Sequence, residues 1–206
     1  MNYFYGGDDN DQVGGGNGAD HLFGGAGNDV LSGYPRVQEM LGGNGDDLVT
    51  VNGLTGDPVP VGQVLNGGLG FDRLNWTGQS GGVVDLTTGA YTTIHGSQLL
   101  GFEAFGLYVA HTATTTVSFG AGNDRLESGS AAFALTVNAG ADDDTIIART
   151  TTTATLNGGS GNDHLTSYYG TGGDLAGGSG NDVLWIYSAA GCTLDGGGGA
   201  DRVVRQ

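Results

Sequence analysis

GGNGADHLF (residues 15–23), GGAGNDVLS (24–32) and GGNGDDLVT (42–50) share one nine-residue frame, with Gly at places one, two and four, Asp at six and a large aliphatic at eight. Working outward, residues 33–41 (GYPRVQEML) keep the length and lose the frame, and residues 6–14 (GGDDNDQVG) carry Asp9 where a glycine should stand. Further copies stand at 67–75 (GGLGFDRLN), 158–166 (GGSGNDHLT), 177–185 (GGSGNDVLW) and 196–204 (GGGGADRVV). Two more lack the first glycine: FGAGNDRLE (119–127) and AGADDDTII (139–147), where Asp142 also replaces the later turn glycine. A repeat in fixed register decides the fold class ahead of any local propensity, because each short unit buries its apolar side only by stacking on the next.

This frame resembles the RTX (repeats-in-toxin) calcium-binding nonapeptide GGxGxDxUx, where U is a large aliphatic. The resemblance covers both ends of the chain and thins between about residues 76 and 118. It implies an all-β fold, a parallel β-roll or right-handed β-solenoid with essentially no helix. It also implies several bound Ca2+ ions, no enzymatic activity, and a hemolysin-type protein exported by type I secretion. Such a chain stays unfolded in the low-calcium cytoplasm and folds outside, so it is expected to be secreted, extracellular or on a bacterial cell surface.

Spacing divides the chain. The motif residues Asp11, Asp20, Asp29 and Asp47 are nine or eighteen apart. If two nonapeptides make one coil, Asp11, Asp29 and Asp47 line one edge and Asp20 the other, and Gln38 is where the second edge loses its next ligand. Asp124, Asp144, Asp163, Asp182 and Asp201 are separated by 20, 19, 19 and 19 residues, one motif per coil. Val137, Leu156, Leu175 and Leu194 repeat in step with Leu165, Leu184 and Val203, so two apolar columns accompany one Asp column. Leu135, Ala154, Gly173 and Cys192 fall on the same inward face, which reads Cys192 as a small buried apolar residue. The expected organisation is one continuous domain. Residues 1–53 form a two-edged roll, 54–118 form less regular, mostly metal-free coils with an insertion near 54–63 (Pro58, Pro60), and 119–206 form a one-edged solenoid.

The spacing also explains the metal. Stacked strands lie about 4.8 Å apart and Ca–O distances are about 2.3–2.6 Å, so an ion midway between equivalent turns is in reach of both. The carboxylate ligands expected are Asp11, Asp20, Asp29, Asp47, Asp72, Asp124, Asp144, Asp163, Asp182 and Asp201. Glycine reaches the positive φ that turns carbonyls toward an ion. The carbonyl candidates are therefore Gly16, Gly18, Gly25, Gly27, Gly43, Gly45, Gly68, Gly70, Gly120, Gly122, Gly140, Gly159, Gly161, Gly178, Gly180, Gly197 and Gly199. Gly-Asn-Asp runs also make metal-free turns, and parallel β-helices without calcium exist; the number of copies in register favours calcium. Without metal, like charges would stack within about 5 Å, so binding is expected to be coupled to folding.

Composition narrows the partners. Nineteen Asp and three Glu stand against six Arg and no Lys, for a formal charge of −16, which repels nucleic acid and anionic membranes. No apolar run approaches the ~20 residues of a membrane span, no basic-then-apolar leader is visible, and one Cys with four His offers no zinc spacing. Residues 78–82 (GQSGG) match a nucleophile pattern without its strand-then-helix context, and paired acids such as Asp46 and Asp47 sit inside the repeat rather than a sugar cleft. The sequon Asn75-Trp76-Thr77 is read as incidental. Thr112, Thr114–Thr116 and Thr150–Thr153 suggest a flat threonine array of ice-binding type, weighed against ordinary exposed strands. Three roles remain: a self-assembling surface or matrix scaffold stacking head-to-tail, a module of a larger secreted enzyme, toxin or adhesin, and a carbohydrate- or ice-binding solenoid.

Overall fold

The computed structural model describes residues 1–34, 36–52, 63–77, 83–85, 92–94, 97–100, 102–107, 115–129, 134–149, 152–168, 170–187 and 191–206. Among these there is no helix; the structure is a β-solenoid of short strands. In chain order they begin β1 (Tyr3–Asp8), β2 (Gln12–Gly14), β3 (His21–Ala26), β4 (Val30–Gly33), β5 (Glu39–Asn44), β6 (Leu48–Asn52), β7 (Val64–Leu69) and β8 (Arg73–Thr77). Next come β9 (Val83–Asp85), β10 (Thr92–Ile94), β11 (Ser97–Leu100), β12 (Ala104–Leu107), β13 (Thr115–Ser118), β14 (Arg125–Ser128) and β15 (Leu135–Ala141). The rest are β16 (Thr145–Arg149), β17 (Ala154–Ser160), β18 (His164–Tyr168), β19 (Gly173–Ser179), β20 (Val183–Tyr187), β21 (Cys192–Gly198) and β22 (Arg202–Arg205).

Two compact units emerge, one of Met1–Ser80 with Gly89–Val109, the other of Gly81–Thr88 with Ala110–Gln206. In the first, one sheet runs β1-β3-β5-β7-β11-β10 and a second runs β2-β4-β6-β8-β12. In the other unit the corresponding rows are β21-β19-β17-β15-β13-β9 and β14-β16-β18-β20-β22. Neighbours are parallel, as a coil that always turns the same way requires. The exception is the antiparallel pair β10–β11, joined within the motif-free middle of the chain.

Within each strand every second residue faces inward, and register stacks those residues into columns. Val13, Leu31, Val49, Leu74 and Phe105 are paired in succession and are buried. In the other unit the columns are Val117-Val137-Leu156-Leu175-Leu194 and Leu126-Ile146-Leu165-Leu184-Val203, which include the nineteen-residue columns expected from the sequence. Fully burying one such aliphatic side chain contributes about 1.5–3 kcal/mol, so each coil adds a small, equal increment of core. The columns open at the outermost strands: Phe4 is 36% exposed beside Leu22 at 0%, and Val203 is 46% exposed beside Leu184 at 0%. Cys192 departs from the expected burial for the same reason. It is only half-buried, because β21 is the outermost strand of its sheet.

Consecutive strand residues point to opposite sides, and this breaks up the threonine array. Thr115 is buried while Thr116 is only partly so, and Thr116, Thr136 and Thr155 form a single outward column. Residues 112, 114, 150 and 151 of that array lie outside the described residues, as do most of the insertion at 54–63 and the GQSGG stretch at 78–82.

Candidate metal centre

Parallel register carries each motif Asp directly beneath the next. The backbone N–H of Asp11 donates to Oδ1 of Asp29, that of Asp29 to Asp47, and that of Asp47 to Asp72, each at 2.8 Å. The second unit repeats the pattern from Asp124 to Asp144 (2.8 Å), Asp163 (2.9 Å), Asp182 (2.8 Å) and Asp201 (3.0 Å). One carboxylate oxygen of each accepting residue, Asp29, Asp47, Asp72, Asp144, Asp163, Asp182 and Asp201, is thereby used to tie coil to coil. The other is left over: Oδ2 of Asp11, Asp29, Asp47, Asp72, Asp144, Asp163 and Asp182 is buried with no hydrogen-bond partner. A buried acceptor left unsatisfied costs about 1–3 kcal/mol, more if charged, and a row of them demands a shared explanation.

The surroundings of that oxygen supply one. A Cβ placed on Gly6 would lie 2.8 Å from Oδ2 of Asp11 and 2.6 Å from the carbonyl oxygen of Gly24, one coil further on. Gly24, Gly42, Gly158 and Gly177 repeat this relation with Asp29, Asp47, Asp163 and Asp182 and with the carbonyls of Gly42, Gly67, Gly177 and Gly196. The first glycine of these five motifs thus keeps open a cradle bordered by a carboxylate oxygen and a carbonyl oxygen from the next coil. Only hard oxygen donors meet there, which suits Ca2+. The residues that fit the ion are these Asp carboxylates and first-glycine carbonyls. Of the second and fourth glycines, Gly25, Gly27, Gly43, Gly45, Gly68, Gly70, Gly122, Gly140, Gly159, Gly161, Gly178, Gly180, Gly197 and Gly199 take positive φ. Asp9 and Asp142, standing where glycine is expected, take positive φ as well, at 76° and 75°.

Electrostatics point the same way. Burial, followed in weight by the neighbouring backbone hydrogen bond and then by repulsion from adjacent acids, alters these carboxyls. The net result raises Asp144 to about 7 and Asp72 to about 6, and pushes Asp47 and Asp163 upward. Burial is thus the main reason these four carboxyls resist ionisation.

The second edge of the first unit is built differently from the first edge. Register places Asn2, Asp20, Gln38 and Gln63 in one column, so Asp20 has amides on both sides. Its Oδ1 accepts from the N–H and the side-chain amide of Asn2, both at 3.0 Å, and the N–H of Gln38 donates to its backbone carbonyl. Gly16 and Gly18 do not take positive φ, and neither does Gly120. The turn at residues 15–20 therefore shares a motif with the first edge but not its backbone form, because no equivalent turn stacks beside it.

A second side-chain line was not anticipated. At place five of the motif, Asn10 accepts from the N–H of Asn28, Asn28 from Asp46, and Asp46 from Phe71, at 2.7–3.0 Å. In the other unit Asn123, Asp143, Asn162 and Asn181 accept in turn from Asp143, Asn162, Asn181 and Ala200. The signal was in the sequence, since Asn or Asp fills place five in most copies on these edges.

A family model described as the RTX calcium-binding nonapeptide repeat matches in four copies, over residues 2–34, 153–171 and 169–185. Over these stretches the chain matches RTX calcium-binding repeats. No curated protein matches it significantly along its length. The matched stretches contain Asp11, Asp20, Asp29, Asp163 and Asp182. For Asp47, Asp72, Asp124, Asp144 and Asp201 the case rests on their place in the same hydrogen-bonded ladders. RTX repeats are typically extracellular, calcium-binding and non-catalytic. Among the described residues no helix is long and apolar enough to cross a membrane.

Proposed function

We propose that this RTX β-roll is a non-catalytic scaffold that folds on extracellular Ca2+ and assembles at the cell surface or in the extracellular matrix. The calcium part rests on the row of buried, unpartnered Asp Oδ2 atoms facing glycine cradles. The ligands are the ten motif aspartates, with the first-edge and second-unit ladders carrying the argument and Asp20 the weakest member.

The assembly part is carried by one observation: Phe4 is exposed in a column with buried Leu22, Met40 and Leu65, and Val203 in one with buried Leu126, Ile146, Leu165 and Leu184. Solenoid ends need a cover. A second copy stacked head-to-tail would provide it, and would set the turn at Asp201 beside the turn at Asp11 of its neighbour, giving calcium a role in holding copies together. A flanking segment of a longer type I secreted enzyme, toxin or adhesin would cover the same strands, and that is the alternative reading. Light scattering with and without millimolar Ca2+ separates the two. Growth of particle size with calcium, reversed by chelation, is expected; a chain that folds and stays monomeric removes the assembly reading.

A further inference from the structure

Where the first-unit ladder leaves the motifs, it does not stop. The backbone N–H of Asp72 donates to Oε2 of Glu103 at 2.8 Å, the bond that every earlier motif Asp of this ladder makes to the next one. Ala104 pairs with Arg73, and the N–H groups of Glu103 and Ala104 both donate to the carbonyl of Asp72, so Glu103 occupies the ladder position itself. Asp72 is fully buried, and its Oδ2 has no hydrogen-bond partner.

Nothing in the sequence around Glu103, which reads GFEAFG over residues 101–106, resembles the repeat. The reason an acid still arrives there is geometric. From Asn66 to Arg73 the chain advances seven residues around the turn, but from their pairing partners Leu100 to Ala104 it advances four. Between these pairing positions the second turn is three residues shorter than the first. The glutamate at that position, one methylene longer than aspartate, still accepts the Asp72 N–H.

We infer that Asp72 and Glu103 form a further divalent-cation site, outside the RTX motif, with Glu103 as the second carboxylate ligand. This rests on the calcium reading of the motif ladder. The shortened turn brings fewer backbone carbonyls than a full motif does, so more of the ion's six to eight oxygens come from water, and this site is the last of the ladder to fill.

Calcium stoichiometry by native mass spectrometry, with far-UV circular dichroism at saturating Ca2+, tests it on the full chain. Glu103→Gln keeps an acceptor for the Asp72 N–H and removes the charge. One ion fewer than wild type, lost from the weakest class and with the β signal unchanged, is the expected result. A full ion count overturns the inference. Asp29→Asn is the reference: if it too retains every ion, the calcium reading of the ladder has failed, whereas loss in Asp29→Asn alone overturns only the Glu103 site. Should Glu103→Gln not fold, Glu103→Asp keeps the charge without the reach. One ion fewer in that variant supports the site, and a full count overturns it.

Discussion

Replacing Gly177 by alanine isolates what the first glycine of the motif does. Its φ is not in the positive region, so alanine meets no backbone strain there. The added Cβ would lie 2.5 Å from the carbonyl oxygen of Gly196 and against the carboxylate of Asp182, whereas ordinary contact begins near 3.4 Å. Close to 1 Å of displacement must be found among backbone and ligand atoms, and overpacking of this kind costs about 1–3 kcal/mol. If folding is coupled to the uptake of n ions, that cost raises the calcium concentration at half-folding by exp(δ/nRT), where δ is the cost. The five ladder carboxylates of the second unit, Asp124 to Asp201, leave four gaps between them. Filling all four together predicts a midpoint shift of about 1.5- to 3.5-fold. Two of those gaps, however, lie beside Phe119 and Ala139, which stand where the glycine should be and are buried. If only the gaps kept open by Gly158 and Gly177 fill, the shift becomes about 2- to 13-fold. Circular dichroism during a calcium titration of Gly177→Ala reads the shift, and its size reports how many ions act together. An unchanged midpoint would refute the cradle. Gly178→Ala is the contrasting variant, since its φ of +113° and the facing backbone of Gly159 penalise any side chain.

Three further outcomes are expected. Because burial lifts Asp144 to about 7, Asp72 to about 6, and Asp47 and Asp163 above the ordinary carboxyl value of 3.8, the stability these groups give the metal-free fold is complete only below about pH 4. It is lost as pH rises through about 7, so in chelator the β signal should grow on acidification from neutral pH; a signal that falls instead contradicts the ladder's electrostatics. Asp182→Asn keeps the acceptor for the Asp163 N–H and removes one charge, and should lower the bound calcium by at least one ion in elemental analysis; a full complement speaks against Asp182 as a ligand. Asn162→Ala removes the acceptor for Asn181 and the amide bond to Asp143. With both bonds exposed, a cost of about 1 kcal/mol should lower Tm in saturating calcium by about 2–4 °C with the ion count unchanged, and a lost ion would show that place five is part of the metal site.

The period made the solenoid legible, because a strict column of Val137, Leu156 and Leu175 leaves the chain no other way to bury them. The first-edge aspartates were legible for the same reason, since equal spacing means equal position. What spacing alone does not carry is the neighbour in the next coil. Asp20 has a full motif around it, yet Asn2 and Gln38 stand beside it, and its turn glycines adopt a different form. Glu103 has no motif at all, yet the shortened turn delivers it to the ladder. The cradle was hidden too, because its carbonyl belongs to the coil after the one holding the glycine. In a stacked fold a residue's role is set across the stack as much as along the chain.

At each first-edge turn two adjacent amides look in opposite directions. The N–H of Asn28 points to the preceding coil, at Asn10, while that of Asp29 points to the following one, at Asp47. In a helix all peptide dipoles add along the axis. Here they cancel pairwise, so the turn column gathers no lengthwise dipole however many coils it holds. An ion in a middle gap then feels its own two carboxylates and little of the far ends. Whole coils added or removed should change how many ions are bound, and leave the affinity of each remaining interior gap where it was.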